Sequence, residues 1–325
     1  MKDVELKMLE RAKALLESGE VARVIGWKKG EFIYDPAPAS FETVDELKDF
    51  VYNWFCGANL SKYLIQASKK EGKTAVFLKP CDTYSFNQLV KEHRVKRENI
   101  HVIAVECLGK FDVAKIKAQG VSSIVDVEVQ NKEVKVKSFG GETVLNKPEI
   151  LLTKCETCQK THQVKDEEII LHDRPERDVN RFAEVEKLEA MTPDERFAFW
   201  REQLQKCIRC NACRNVCPAC SCVKCVFDNP ASGIAAKAND DKFEEQLFHI
   251  IRAFHVAGRC TDCGECSRVC PQNIPLHLLN RKFIKDIDGL YGEYQAGETD
   301  EGKTPLTSYT ENDIEPTDAV NGEAK

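Results

Sequence analysis

Between Cys207 and Pro271 the chain carries one cysteine pattern twice: Cys207, Cys210, Cys213, Cys217-Pro218, then Cys260, Cys263, Cys266, Cys270-Pro271, each spaced C-x2-C-x2-C-x3-C-P. Thiolates three residues apart let one tight loop reach three corners of a cubane, while the fourth, sent off by its proline, serves the other cluster. The repeat therefore predicts two 4Fe-4S clusters. Cys207, Cys210, Cys213 and Cys270 would hold the first; Cys260, Cys263, Cys266 and Cys217 would hold the second. Structural zinc is the competing reading, but zinc sites usually draw cysteines in C-x2-C pairs and explain a doubled triplet poorly.

The remaining cysteines fit the same chemistry better than a disulfide scaffold. There are sixteen in 325 residues, and the N-terminal MKDVELKMLERAKALLE is charged and helix-like rather than an apolar export signal. No stretch approaches the ~20 apolar residues of a membrane-spanning helix, so a cytoplasmic protein without membrane insertion is expected. Net charge is −6, and the last 35 residues hold nine acidic and two basic side chains. The body is thus near neutral and offers no basic face for nucleic acid. Cys220, Cys222 and Cys225 follow the first motif as CPACSCVKC. They either hold a further cluster with a ligand from elsewhere or donate weak hydrogen bonds to cluster sulfurs.

Periodicity places these motifs in a two- or three-part chain. Apolar residues recur at helical spacing from Val4 to Leu16, and Thr43 with Glu46 predicts a capped helix running towards Trp54. VARVIGWK and EFIYD alternate like strands. TAVFLKP, SFNQLVKEH and IHVIAVE then read as a βαβ unit with a parallel sheet, and VDVEVQNKEVKVKSF as a hairpin turning at Gln130-Asn131-Lys132. Polar HDRPERDVNR, His172 to Arg181, marks a boundary. Thr192, Pro193 and Glu195 start a helix with Phe197, Trp200 and Leu204 on its apolar face, leading into the first cysteine motif. A second helix, about Phe243 to Val256, sets Phe243, Leu247, Ile250, Ile251 and Phe254 on one face. The expected architecture is an α/β domain with a parallel sheet (1–175), a linker and helix (176–206), a mainly helical ferredoxin-type dicluster domain (207–288) and an acidic, extended or disordered tail (289–325).

The segments CIRCNACRNVCPACSC and GRCTDCGECSRVCPQNIPL resemble the iron–sulfur beta subunits of cytosolic sulfhydrogenases and the A subunit of anaerobic sulfite reductase. The wide separation of the two motifs, bridged by a helix, resembles the dicluster domain of heterodisulfide reductase small subunits. LKPCDTYSFNQL and KCETCQK occur in the order found in beta subunits of deazaflavin-reducing hydrogenases and formate dehydrogenases. That second resemblance implies an additional iron–sulfur cluster near a flavin, with Cys81, Cys155 and Cys158 at the matching positions. Cys56 and Cys107 are the candidates to complete the set, so five cysteines compete for four places. Otherwise Cys56, Cys81 and Cys107 are buried small hydrophobes, and Cys155 with Cys158 binds zinc or nothing.

A flavin is not evident in the residues themselves. No G-x-G-x-x-G follows a predicted strand, and Gly140-Gly141 is more economically a hairpin turn. The histidines are scattered, and His249 and His255, six apart, suggest solvated or packing roles. No catalytic triad or carboxylate pair is apparent. The leading expectation is an electron relay working beside catalytic and other electron-transfer subunits of a redox complex. The alternatives are a flavin-bearing subunit reducing a deazaflavin, nicotinamide or disulfide, and a zinc-stabilised scaffold.

Overall fold

A computed structural model describes residues 1–159, 163–170, 179–229 and 242–306. The N-terminal half is built on a mixed sheet. Helix α1 (Lys2–Glu17) buries Val4, Met8, Ala12 and Leu15, the stripe its spacing predicts. Strand β1 (Arg23–Lys28) pairs antiparallel with β2 (Ala37–Phe41), which forms the edge and can therefore include Pro38. After the short α2 (Leu64–Ala67), strand β3 (Thr74–Leu78), helix α3 (Pro80–Lys91) and strand β4 (Ile100–Val105) make the expected βαβ unit. Both strands are buried on every residue, as a parallel strand covered on two faces must be.

Helix α4 (Val113–Ala118) leads to a separate antiparallel sheet of β5 (Ile124–Gln130), β6 (Glu133–Ser138) and β7 (Gly141–Asn146). The hairpin turns where the sequence suggests, with Asn131 left-handed at φ 56°. The second turn is Phe139-Gly140, one residue earlier than the Gly140-Gly141 pair, and Gly141 opens a third strand. One-turn α5 (Thr153–Glu156) follows, and β8 (Glu168–Ile170) adds a parallel strand, giving the order β2-β1-β3-β4-β8.

The C-terminal region is helical: α6 (Ala183–Glu189), α7 (Pro193–Leu204), α8 (Ala212–Val216), α9 (Lys242–His255), α10 (Glu265–Arg268) and α11 (Leu276–Tyr291). Thr192 and Glu195 cap α7 reciprocally, as their spacing predicts. Among the described residues no helix is long and apolar enough to cross a membrane. Most of the proposed boundary, residues 172–178 of His172 to Arg181, lies outside the described residues.

Four expectations fail, three of them to tertiary contacts and one to a local turn. The helix towards Trp54 is only a 3-10 turn over Asp45–Asp49. Beyond it the backbone is drawn out alongside β1, Val51 N–H donating to Trp27 O at 2.9 Å and Lys29 N–H to Asp49 O at 2.8 Å. EFIYD is a turn rather than a strand, held by Phe32 N–H on Asp35 Oδ1 at 2.8 Å, and the strand begins only at Ala37. The face expected to be the buried one on α9 is largely outward: Phe243 is 67% and Phe254 61% exposed, whereas Glu245, His249 and Arg252 are buried. Finally, the described start of the acidic tail packs back on the N-terminal domain. Asn87 Nδ2 donates to Gly297 O at 3.1 Å, Lys165 pairs with Asp300 at 2.8 Å, and Ala296 is buried. A Cβ at Gly297 would lie 1.9 Å from Tyr84 O, so only glycine fits that approach. Residues 307–325 lie outside the described residues.

Phe77 of β3 is fully buried, its ring 5.7 Å from that of Phe50. Phe77→Ala should cost about 3–5 kcal/mol in denaturant unfolding. A loss under about 1 kcal/mol would contradict this packing.

Candidate metal centres

Helix α7 delivers the chain to Cys207 through buried Leu204, and both cysteine loops then bend at equivalent places. In the first copy Arg209 (φ 51°) and Asn211 (φ 60°) are left-handed; in the second Asp262 (φ 56°) and Gly264 (φ 66°) take the same positions. Asn, Asp and Gly adopt that region readily and arginine does not. Arg209 is fixed there by a buried ion pair with Glu245 of α9 at 2.6 Å and by stacking on the Phe248 ring. In the second loop Asp262 is held by Arg281 of α11 at 2.8 Å. Arg209 N–H also points at Cys207 Sγ at 3.3 Å.

The fourth cysteine of each motif lies with the other motif. Cys217 acts electrostatically on Cys260, Cys263 and Cys266, and Cys270 acts on Cys213. Cys207, Cys213 and Cys270 pack in one apolar cluster with Leu204 and Ile274, while Cys217 and Cys260 pack in another with Ala219 and Val256. Cys266 is at the boundary, packed in the first cluster yet electrostatically close to Cys217. Cys210 is exposed, at the outer side of the first set. Burial pushes the Cys207 and Cys266 thiols up to about 12 and raises Cys260 and Cys263 as well. Such thiols stay protonated unless a metal takes the proton's place.

A mononuclear ion suits these positions poorly. With Zn–S near 2.3 Å, tetrahedral sulfurs stand about 3.8 Å apart. Among the described residues no three cysteine sulfurs lie within 4.8 Å of one another; the trio that does is Cys207, Glu245 and His249. A cubane, whose ligands sit at separate corners, accepts the wider set.

Cys220 turns its thiol to Cys217. That hydrogen bond lowers the Cys217 thiol and raises the Cys220 one. Cys220, Cys222 and Cys225 also line a cavity of about 360 Å³ with Lys62, Arg214 and Arg259. Lys62, from the N-terminal domain, donates to Cys217 O at 2.9 Å and to Cys220 O.

In the N-terminal domain the candidates gather beyond the carboxyl ends of β3 and β4, where α/β sheets bind ligands. Cys81 opens α3 directly after β3, Cys107 follows β4, and Cys155 lies in α5 with Cys158 just beyond. Cys155 acts electrostatically with Cys107 and Cys158, and Cys81 with Cys158. Burial pushes Cys155 up to about 11 and Cys81 well up. Cys56 is turned elsewhere, its thiol donating to Val51 O at 3.7 Å and Asn53 Oδ1 at 3.6 Å. Three buried lysines surround the group. Lys79 pairs with Asp82 at 2.7 Å, Lys110 lies 3.8 Å over Tyr52, and Lys154 bonds Gly57 O at 2.7 Å. Buried cations collect where a buried anion compensates them.

Lys154 also joins the domains. It pairs with Glu265, which is fully buried, bound by Arg268 at 2.7 Å and by Asn59 N–H at 3.1 Å. Burial alone would push the Glu265 carboxyl up; the Lys154 and Arg268 charges outweigh it and hold it well below the usual range. Gly264 admits this contact, because a Cβ there would meet Lys154 Cβ at 2.4 Å.

Sequence reasoning missed Glu245 and Arg252 and gave His249 only a solvated or packing role. Their signal was a polar stripe at i, i+4, i+7 along the helix. His249 is buried with neither ring nitrogen hydrogen-bonded among the described residues, and burial, with Arg252 and Arg209 nearby, holds it down at about 3.

Residues 203–274 match the family described as 4Fe-4S dicluster domain. The chain is 24% identical to the F420-dependent formate dehydrogenase subunit beta of Methanocaldococcus jannaschii, covering 86% of this chain and 88% of that protein. It is 25% identical to F420-dependent formate dehydrogenase 1 subunit beta of Methanococcus maripaludis, covering 90% and 91%. A shorter match, 36% identical over 79 residues, is to Putative ferredoxin-3 of Sinorhizobium fredii, covering 24% of this chain and 75% of that protein. The helical region thus carries a 4Fe-4S dicluster domain beside a mostly parallel α/β domain.

Proposed function

We propose that this iron–sulfur electron-transfer protein holds three 4Fe-4S clusters and relays single electrons for a catalytic subunit in an oxidoreductase complex of the formate dehydrogenase or hydrogenase type. The observation that carries the reading is the exchange of fourth cysteines, Cys217 beside the second triplet and Cys270 beside the first. It supports Cys207, Cys210, Cys213 and Cys270 as ligands of one cluster and Cys260, Cys263, Cys266 and Cys217 as ligands of the next. For the third, the electrostatic links favour Cys81, Cys107, Cys155 and Cys158 and leave Cys56 as a structural thiol. Cys220 supports Cys217 through its S–H, which favours the hydrogen-bonding reading at that position over ligation.

When bound, such clusters take up and release one electron at a time. The residues of this chain fix their positions, exclude water and set the local charge. Lys79, Lys110 and Lys154 supply positive charge around the N-terminal site, and Arg209 N–H donates to the Cys207 sulfur. The two archaeal relatives are named F420-dependent, so a deazaflavin is the first electron partner to test for the complex.

The number and placement of clusters are tested by iron and acid-labile sulfide analysis of anaerobically purified protein, expected near twelve of each per chain. Cys158→Ala should lower the iron content by about four, and Cys56→Ala should leave it unchanged. An unchanged content in Cys158→Ala, or a loss in Cys56→Ala, would refute the assignment.

A further inference from the structure

Arg252 is the most conspicuous side chain that the relay reading leaves unused. It is 2% exposed, and Nε, Nη1 and Nη2 all lack a hydrogen-bond partner among the described residues. A guanidinium stays charged at any accessible pH and presents five donors. Removing that charge from water without a partner costs several kcal/mol. Helix α9 nevertheless turns Arg252 inward and leaves Phe243 and Phe254 outside. An orientation that buries the cation while two phenylalanines of the same helix stay exposed makes sense if anions lie on the inner side.

The groups around Arg252 belong to both cysteine sets. It acts electrostatically on Cys213, from the first, and on Cys217 and Cys266, from the second, and also on Cys220. His249, one turn earlier, has a narrower reach, sharing its 4.8 Å neighbourhood with Cys207 and Glu245. Helix α9 therefore presents one donor between the two sets and another to the first set alone.

We propose that Arg252 is a positioning residue shared by both C-terminal clusters, its guanidinium donating to sulfurs of each and its one positive charge holding both reduction potentials up together. The inference rests on the ligand assignment above. A thiolate-ligated cluster is an anion that gains negative charge on reduction, so a fixed cation in a low-dielectric site favours the reduced form. Hydrogen bonds to cluster sulfurs act in the same direction. Because one charge serves both sites, the two potentials depend on the same residue. His249, whose ring lies beside Cys207, affects the first cluster only.

The test uses full-length protein reconstituted anaerobically, with iron counted and midpoint potentials read by redox titration under electron paramagnetic resonance. The two C-terminal couples are assigned by their loss in Cys210→Ala and Cys263→Ala. In Arg252→Met both couples should move to more negative potential by at least a tenfold change in the reduction equilibrium, 59 mV for one electron. Arg252→Lys should recover part of the shift in both. His249→Phe should lower the first couple and leave the second in place. Full iron with either couple unmoved in Arg252→Met overturns the proposal. If Arg252→Met loses iron, Arg252→Gln decides by the same criterion, and iron loss there too would make Arg252 a folding residue and overturn the proposal. A wild-type protein whose two couples survive Cys210→Ala and Cys263→Ala would instead refute the ligand assignment.

Discussion

Cys217→Ala, a change within the first motif, is expected to abolish the second cluster, and Cys270→Ala to abolish the first. Each variant should lose about four iron atoms per chain and one of the two C-terminal magnetic resonance signals. The reason is geometric. Pro218 and Pro271 turn the chain away after the fourth cysteine, and α8 packs against α10, so each motif ends against the other's loop. Cys217 is buried with Cys260, Ala219 and Val256, and Lys62 ties its carbonyl to the N-terminal domain. Cys217→Ala also strips Cys220 of its hydrogen-bond acceptor, leaving that thiol as the nearest substitute ligand. Cys217→Ala/Cys220→Ala should therefore show the full loss even if the single variant retains some iron. If Cys217→Ala removes the same signal as Cys210→Ala, the exchange of fourth ligands is wrong.

The second large effect is expected at the domain junction. Lys154→Met should destabilise the protein by about 3–5 kcal/mol, the cost of breaking a buried ion pair from one side. Glu265 would keep Arg268 but lose a cation that it needs in a fully buried position. Anaerobic denaturant unfolding measures the loss, and limited proteolysis between the domains should become faster. Glu265→Gln should be at least as damaging, because it leaves Lys154 and Arg268 facing each other with no anion between them. The junction holds two cations against one carboxylate, and it lies between Cys81 and Cys155 on one side and Cys263 on the other. That excess of positive charge suits an anionic cluster on each side. A loss below about 1 kcal/mol for Lys154→Met would show that the pair is solvated and carries no such load.

The same junction indicates the order of electron movement that the relay reading implies. The N-terminal cysteines meet the second cysteine set through Lys154 and Glu265, the second set meets the first across α8 and α10, and Cys210 of the first set is exposed. An electron would cross the chain from the α/β domain to that exposed end, or the reverse. The apolar residues left outside on α9, with exposed Phe197 and Ile208 nearby in sequence to the first motif, lie on that same helical domain.

Much of this was legible in residue order because the determining interactions are local. Cysteine spacing sets which thiolates one loop can offer a cubane. Continuous runs such as TAVFL and IHVIAV define buried parallel strands, and the Thr192 to Glu195 box starts α7 through hydrogen bonds within four residues. Where a long-range partner competes with local preference, the sequence misleads. The segment after Asp49 carries a helix signal, yet β1 offers it backbone hydrogen bonds and it extends. The described start of the tail reads as free by composition, and Asn87, Lys165 and Tyr84 hold it.

Helix α9 gives the sharpest contrast. Its sequence determined that a helix would form and that it would be two-faced, since hydrophobic periodicity is a property of the helix alone. Which face points inward depends on what lies opposite, and α9 meets cysteines of both motifs as well as helices α7 and α11. Only the tertiary structure could decide that the polar stripe of Glu245, His249 and Arg252 is the buried one, because desolvating a charge is tolerable only where an opposite charge awaits it.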